Sequence, residues 1–553
     1  MDAARLTGGP FSSRHGLILD WDQAPNESAV LAIIRAQAIP SGTFSLLDLP
    51  AEILLQIIDC LDPVSLAKIR LTCRTIYQSA PLRIERVFIS PHSINIKTFL
   101  AIAGHDYYRT KVKEIIYDDA IYNYEAVDRI YRVGEIINRD FQLSRSENLY
   151  RLYERAMKNG MRENNYTIFQ LLSARTQMSF EETTKHYAQM IADQEVCRQG
   201  DHDFDALVWG FKQFVNLERI TLTPAAHGFI FRPLYRTPMI RSFPFGFNYP
   251  IPVGWKPAQQ FHRLPGMATA WNRDNRTYRQ NLEMYRGFSI TLAALRTYLE
   301  SPFRRNHPIE FCADGLLLNL GLSPRVFDSP CTEADNFRFM LSQPGFRRLE
   351  LTFTADLMDF DNFHCFRSGL FREALGHCRD LQYFSFTTTG FRDSSTMRHW
   401  GALTLQDTVP LDVLFPISSW PQLKHFGLSG WRVYGPHLVD FLRELPETVE
   451  SIELSRLIFV EFSGTHSALL EAIRDRLDWK QRHPAKRPHL KMIFQQSPGI
   501  GIFVDKELDA FIYSDGPNPL GEVCPSQPYT DTIRRGFGII KDLLDPLYER
   551  PYQ

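Results

Sequence analysis

No stretch of this chain reaches 18 consecutive apolar residues, so no membrane-spanning helix is expected. Its first residues, "MDAARLTGGPFSSRHGLILDWDQ", lack the apolar run of a signal peptide. The three sequons, at Asn26, Asn165 and Asn275, then read as chance occurrences. Net charge is nearly absent too: a formal −1 sets up no field drawing the chain to nucleic acid or to an acidic membrane. None of the eight cysteines forms Cys-x-x-Cys, which argues against a structural zinc site and a disulfide scaffold. Reduced thiols in a cytoplasmic and/or nuclear protein are the expectation.

Converging reactive groups are also missing. "PGIGIF" has Gly499 and Gly501 but no third glycine at dinucleotide spacing and no Walker lysine, and reads as a turn. "DHDFD" (Asp201, His202, Asp203, Asp205) stands just before a helical stretch, where acids offset exposed N–H groups. "FHCF" sets His364 beside Cys365, which on a strand would face opposite sides. The basic stretch "KQRHPAKRPHLK" (480–491) is broken by prolines and reads as a solvated linker. No catalytic residue, metal ligand or cofactor is expected, and the chain is not expected to be an enzyme.

What is present is a folded-protein balance of 44% hydrophobic and 23% charged residues over 553 positions, too many for one ordinary core. The 40 phenylalanines fit either a large core or a contact surface. The first apolar concentration is "FSLLDLPAEILLQIIDCL" (44–61). Pro50 suits a first helical turn and Asp48 the free donors of that turn. Ile53, Leu54, Ile57, Ile58 and Leu61 then recur at helical spacing, with Leu55 widening the stripe. Asp62-Pro63 starts a second helix, "VSLAKIRLTCRTIYQSA", with Leu66, Ile69, Cys73 and Ile76 or Tyr77 on one face, ended by Pro81. A hairpin this short buries little, and each wet Leu or Ile forgoes roughly 1.5–3 kcal/mol. The surplus apolar face needs a cover, from the rest of the chain or from a partner.

Leu49-Pro50, Glu52-Ile53-Leu54, Ile57-Ile58, Leu61, Pro63, Leu66 and Cys73-Arg74 follow one another as in an F-box, which residues 44–83 resemble. Val64-Ser65-Leu66-Ala67 departs mildly from the pattern, which often has an aromatic or a second Leu there. The resemblance implies a three-helix module docking on the Skp-type adaptor of a cullin–RING ubiquitin ligase. The adaptor contacts it implies are Leu49, Pro50, Ile53, Leu54, Ile57, Ile58, Leu61, Pro63, Leu66 and Ile69. Some of these must instead hold the module together, and periodicity alone does not divide the two sets.

Beyond it a short pattern recurs: apolar, two residues, apolar, one residue, apolar. It appears as "VKEIIY" (Val112, Ile115, Tyr117), "LERITL" (Leu217, Ile220, Leu222), "FRRLEL" (Phe346, Leu349, Leu351), "LQYFSF" (Leu381, Phe384, Phe386), "LKHFGL" (Leu423, Phe426, Leu428) and "VESIEL" (Val449, Ile452, Leu454). "LKMIF" (Leu490, Ile493) is a weaker copy. Most copies follow an amphipathic stretch such as "DFDALVWGFKQFVN" or "GPHLVDFLRELPET". The expected fold class is α/β: a helical module, then an irregular leucine-rich-repeat-like solenoid with parallel strands lining one face and helices outside.

The expected organisation is an N-terminal extension, partly disordered (1–43), the helical module (44–83), the repeat-like body (84–498) and a C-terminal capping segment (499–553). A helical insertion (124–202) and an insertion rich in proline and aromatics (224–282) interrupt the body. The second holds eight prolines between Pro224 and Pro265 and serves either as an arm or cover over the strand face, or as a loop packed on the solenoid's edge. The pairing resembles the leucine-rich-repeat class of F-box proteins, and the carboxyl-terminal "IFVDKELDAFIYSDGPNPL" and "DLLDPLYERPY" resemble the endings of fungal F-box proteins. That implies a substrate-recognition subunit with an unknown target protein. The alternative is an F-box scaffold working outside a ligase.

Overall fold

The computed structural model describes residues 46–552 apart from 62, 123–177, 229–232, 248, 250, 253, 256–270, 272–281, 305–308, 316–319, 355–362, 390–407, 461–462, 498–499, 524–530 and 543–544. The N-terminal extension and the helix expected around "SENLYRLYERAMKNG" lie outside the described residues. There are two compact units. The first takes in the described residues up to Ile84, with Met178–Ser179 and Phe243–Phe247. The second takes in the rest.

In the first unit a 3-10 turn, Leu46–Asp48, leads into α1 (Ala51–Cys60), α2 (Pro63–Arg70) and α3 (Arg74–Ser79). Pro50 itself is the N-cap of α1, without a side-chain cap, where Asp48 was the expected one. The single second helix expected over 64–80 is two. Cys73 is extended, at φ −157° and ψ 161°, and its sulfur accepts from the Ile76 N–H at 3.5 Å. That cap restarts the helix, and Leu66 of α2 and Ile76 of α3 share one core.

In the second unit nine strands form one wholly parallel sheet in chain order. They are β1 (Arg86–Ile89), β2 (Glu114–Asp118), β3 (Arg219–Thr223), β4 (Glu310–Ala313), β5 (Arg348–Thr354), β6 (Tyr383–Thr389), β7 (His425–Ser429), β8 (Ser451–Ser455) and β9 (His489–Lys491). Each strand follows its sequence predecessor in space, the arrangement of a solenoid-like repeat body. The recurring motif sets the register. Val87, Ile115, Ile220, Phe311, Leu349, Phe384, Phe426, Ile452 and Leu490 stand side by side. Two residues on, Ile89, Tyr117, Leu222, Ala313, Leu351, Phe386, Leu428 and Leu454 form a second row. Both rows are buried.

These rows face the helices. Phe311 meets Phe288 of α7 (Arg286–Leu299), Phe386 meets Phe371 of α9 (Leu370–Gly376), and Phe426 meets Phe441 of α10 (Gly435–Arg443). The other helices of this layer are α4 (Ser93–Ala103), α5 (Phe180–Gln199), α6 (His202–Gln213), α8 (Thr332–Leu341) and α11 (His466–Arg476). Phe353, Phe366, Phe415 and Trp431 fill the space between, so the phenylalanine excess is core.

Two strands of the sheet, β1 and β4, were not expected from the motif. A third was framed wrongly: Leu490 and Met492, not Leu490 and Ile493, are the buried pair of the last copy. Ile493 instead opens β10 (Ile493–Ser497), which forms an antiparallel sheet with β11 (Ile500–Phe503), β12 (Ile539–Asp542) and β13 (Asp545–Pro551). Gly501, expected in a turn, is in strand β11. At the edge strand β9, α12 (Asp505–Tyr513) is tied on by His489 and Asp509 at 2.8 Å and by the Tyr513 hydroxyl to the Pro488 carbonyl.

Candidate docking surface

In the first unit Leu54, Ile58, Leu66, Ile76 and Ala80 form the core, with Leu46, Leu61, Ile69 and Cys73 half-buried against it. The structure thereby divides the ten expected contacts. Leu54, Ile58 and Leu66 point inward, so their apolar surface is spent on the module itself. Leu61 and Ile69 edge the core. Pro50 and Ile53 are exposed, while Leu49 and Ile57 are half-buried. The side chain of Pro63 lies outside the described residues.

Leu47, Leu55, Leu71 and Tyr77, none in the expected set, are exposed beside Ile53's element and its neighbours. Of the thirteen large apolar side chains exposed among the described residues, five fall between Leu47 and Tyr77, a concentration far above the chain's average. Ile53 and Leu55 flank the buried Leu54 on either side of α1, and helix period alone did not show which of these positions faced inward.

Two arginines hold this small module in shape. Arg83 donates to the Ile58 carbonyl at 2.8 Å and the Leu61 carbonyl at 3.1 Å, the free end of α1, and pairs with Asp59 at 3.0 Å. Arg70 is buried, donates to the carbonyls of Tyr77 and Ala80 after α3, and lies over the Tyr77 ring. Such caps stiffen a unit whose core is only a few side chains thick. An outward apolar face of this kind offers contact area and shape, which is binding chemistry.

The second unit has two polar features of interest. On the sheet face turned away from the helices, Arg86, Glu114, Arg219, Glu310 and Arg348 alternate in sign across five adjacent strands. Arg86–Glu114 is 2.7 Å, Arg219–Glu310 2.6 Å, and Arg347 adds to Glu310 at 3.1 Å. The row continues as Tyr383 stacked on His425, centroids 4.0 Å apart, with Arg348 over Tyr383 at 3.5 Å. Burial, helped by Lys491 and Arg348, pushes the His425 imidazole down to about 4. At the β1 and β2 end the same face is apolar, and Ala225, Ala226, Leu234 and Tyr235 of the second insertion cover Phe88 and Ile116 there. These four described residues of the insertion are thus packed on the sheet face.

The second feature is a largely buried polar cluster at the C-terminal ends of β1, β2 and β3, with Asp193 half-exposed at its rim. Asp193 accepts from the Ser93 N–H at 2.9 Å and pairs with His92 at 3.3 Å. Burial opposes that carboxylate, but these bonds hold it at about 2. The Tyr122 hydroxyl lies 3.0 Å from His227 Nε2, and the Tyr249 hydroxyl 2.8 Å from His227 Nδ1. Asp119 accepts from the Trp255 indole and the Gly287 N–H, each at 2.8 Å. Burial pushes Asp118 and Asp119 up to about 7 each and His227 down to about 3.

The acids of "DHDFD" stand at the start of α6 as expected, Asp201 at the N-cap without a side-chain cap bond and Asp203 and Asp205 in the first turn, and two of them are also ion-paired. Asp203 is buried, accepts from the Tyr117 hydroxyl at 2.6 Å and pairs with Arg286 of α7 at 2.9 Å, while Asp201 pairs with the same guanidinium at 2.7 Å. His364 and Cys365 sit on a short helix, His364–Arg367, not a strand; Cys365 is buried and His364 exposed. In the basic stretch Lys480, Arg482 and Lys486 pair with Asp515, Asp478 and Glu447.

A three-helix unit with an outward apolar face, followed by a parallel-stranded body, defines a docking module carried on a repeat-like scaffold. Residues 46–84 match the family model described as F-box-like. The chain carries an F-box-like domain, a class of module that docks Skp-type adaptors. No curated protein matches the chain. Among the described residues no helix is long and apolar enough to cross a membrane.

Proposed function

We propose that this chain is a substrate-recognition subunit of an SCF-type cullin–RING ubiquitin ligase, acting in the cytoplasm and/or nucleus. The observation that carries the reading is the outward apolar set of the F-box-like domain, led by Ile53 and Leu55, which the module's own core does not use. Pro50 and Leu49 border that set at the start of α1. The parallel-stranded body presents the target protein through the sheet face left free of helices, and it works by proximity, holding that target near the ligase. On this reading the body acts by binding alone; the burial of its His227 and Asp118 side chains, 1% and 2% exposed, supports it.

The test is co-purification of the full chain with a Skp-type adaptor and its cullin. Capture of both, lost in Leu49→Ala/Pro50→Ala at unchanged thermal stability, is the expected result. A folded chain that captures no adaptor overturns the reading. Capture of the adaptor with no cullin and no target ubiquitination points instead to a scaffold outside a ligase.

A further inference from the structure

Residues after β3 leave the sheet, turn, and cover Phe88 and Ile116 on its free face. What fastens them is the group around His227. Its imidazole sits between the hydroxyls of Tyr122 and Tyr249, and its Nε2 lies 3.9 Å from Asp118 Oδ2. The two side chains are 1% and 2% exposed. Asp118 also accepts from the Ala120 N–H at 3.2 Å, and among the described residues no lysine or arginine pairs with it. A separation of 3.9 Å is too long for a charge-assisted hydrogen bond. Ionising both groups would leave two desolvated charges with no bond between them.

We infer that Asp118 and His227 form a buried, uncharged acid–base pair clasping residues 225–242 to the sheet, and that matching one acid with one base keeps the clasp's closure independent of pH between the ordinary carboxylate and imidazole ranges.

The proton accounting follows from where each group goes on opening. Burial holds Asp118 in its acid form and His227 in its neutral form. In water an aspartate ionises above about 3.9 and a histidine protonates below about 6.5. Between those limits opening releases one proton from Asp118 and takes one up on His227, so the net exchange is nil. Alone, Asp118 would ease opening as pH rises from the ordinary carboxylate range to about 7, where its buried form also ionises. Alone, His227 would ease opening as pH falls below about 6.5.

Among the described residues the other titratable groups named around the pair have partners of their own. His92 is on Asp193, burial raises the hydroxyls of Tyr122 and Tyr249 so that both stay protonated in this range, and the Tyr187 ring packs on Tyr122. Asp119 is bonded to Trp255 and Gly287, with Arg198 and Arg286 near it, and neither of its bonded partners belongs to 225–242.

Hydrogen exchange of peptides from 225–242 in the full chain, corrected for intrinsic rates, tests this at about pH 5 and about pH 6.5, with β6 and β7 peptides as internal reference. The native chain keeps its protection within about twofold between the two pH values. Asp118→Asn loses at least about tenfold protection at the lower pH relative to the higher, and His227→Gln at least about tenfold at the higher pH relative to the lower. The double variant is flat again. A tenfold swing in the native chain overturns the inference, as do single variants that swing the same way or not at all. Should a single variant lose the reference protection in β6 and β7, the double variant decides: flat upholds the pair, a swing overturns it.

Discussion

The F-box-like module and the parallel-stranded body use the same apolar residues to opposite ends. In the module, Leu54, Ile58 and Leu66 are inside while Ile53, Leu55 and Leu71, their near neighbours in sequence, are 42%, 46% and 56% exposed. In the body, the residues of both motif rows are buried, Leu349, Phe384, Phe386, Phe426 and Leu428 completely. A nine-stranded sheet under a helical layer has a neighbour for every side chain of these two rows. A module of about forty residues has not, and what it leaves outside is where a partner gains most. Among the described residues four of the six exposed Leu and Ile side chains lie in the module, and it is there that the family match falls.

The contrast can be broken first in the body. Phe386→Ala removes a ring packed on Phe371, Phe415 and Trp431, and an expected loss of about 3–5 kcal/mol should appear in the denaturant midpoint. A loss below about 1 kcal/mol would show that this core relaxes around the gap. Leu66→Ala, fully buried in the module, is expected to cost about 2–4 kcal/mol. Hydrogen exchange should then rise over 46–80 and stay unchanged in the sheet; a uniform rise would mean that the two units melt together.

A smaller effect is set by pH. The folded-state value of His425 is depressed, so its stabilising contribution is complete above about 6.5 and is lost as pH falls through about 4. Urea titrations are expected to show ~1–3 kcal/mol lost across that window, and His425→Asn should remove this part of the loss. An unchanged acid limb in the variant would assign it to other groups. The smallest expected change in stability is that of Ile53→Asp, within ~0.5 kcal/mol because the side chain is already exposed. Its adaptor capture should nonetheless fall by at least about tenfold. Unaltered capture would move the docking face off α1.

The strands legible in sequence were those whose inward residues are large and whose preceding helix is amphipathic, such as "LQYFSF" and "LKHFGL". β4 escaped because its inward pair is Phe311 and Ala313, and alanine carries too little apolar signal. β1 escaped although Ile84, Val87 and Ile89 fit the motif, because the helix before it belongs to the other unit. On the docking module the period gave the right helix but not its inward side, since both faces are apolar. The largely buried polar cluster had no local signature: Tyr122 and His227 meet across 105 residues of chain.

The alternating row Arg86, Glu114, Arg219, Glu310, Arg348 has a consequence for how this body changes length over time. Each of the three inner charges stands in register between two of opposite sign. Deleting one of the inner strands β2–β4 with its helix, or duplicating any one of the five, would bring arginine against arginine or glutamate against glutamate. Deleting or duplicating two restores the order. At this end of the sheet the repeat therefore counts in pairs, and related chains that differ in length here are expected to differ by an even number of strands. At the β6–β9 end, where Tyr383, His425, Ser451 and His489 continue the row without a carboxylate, single-strand changes face no such parity.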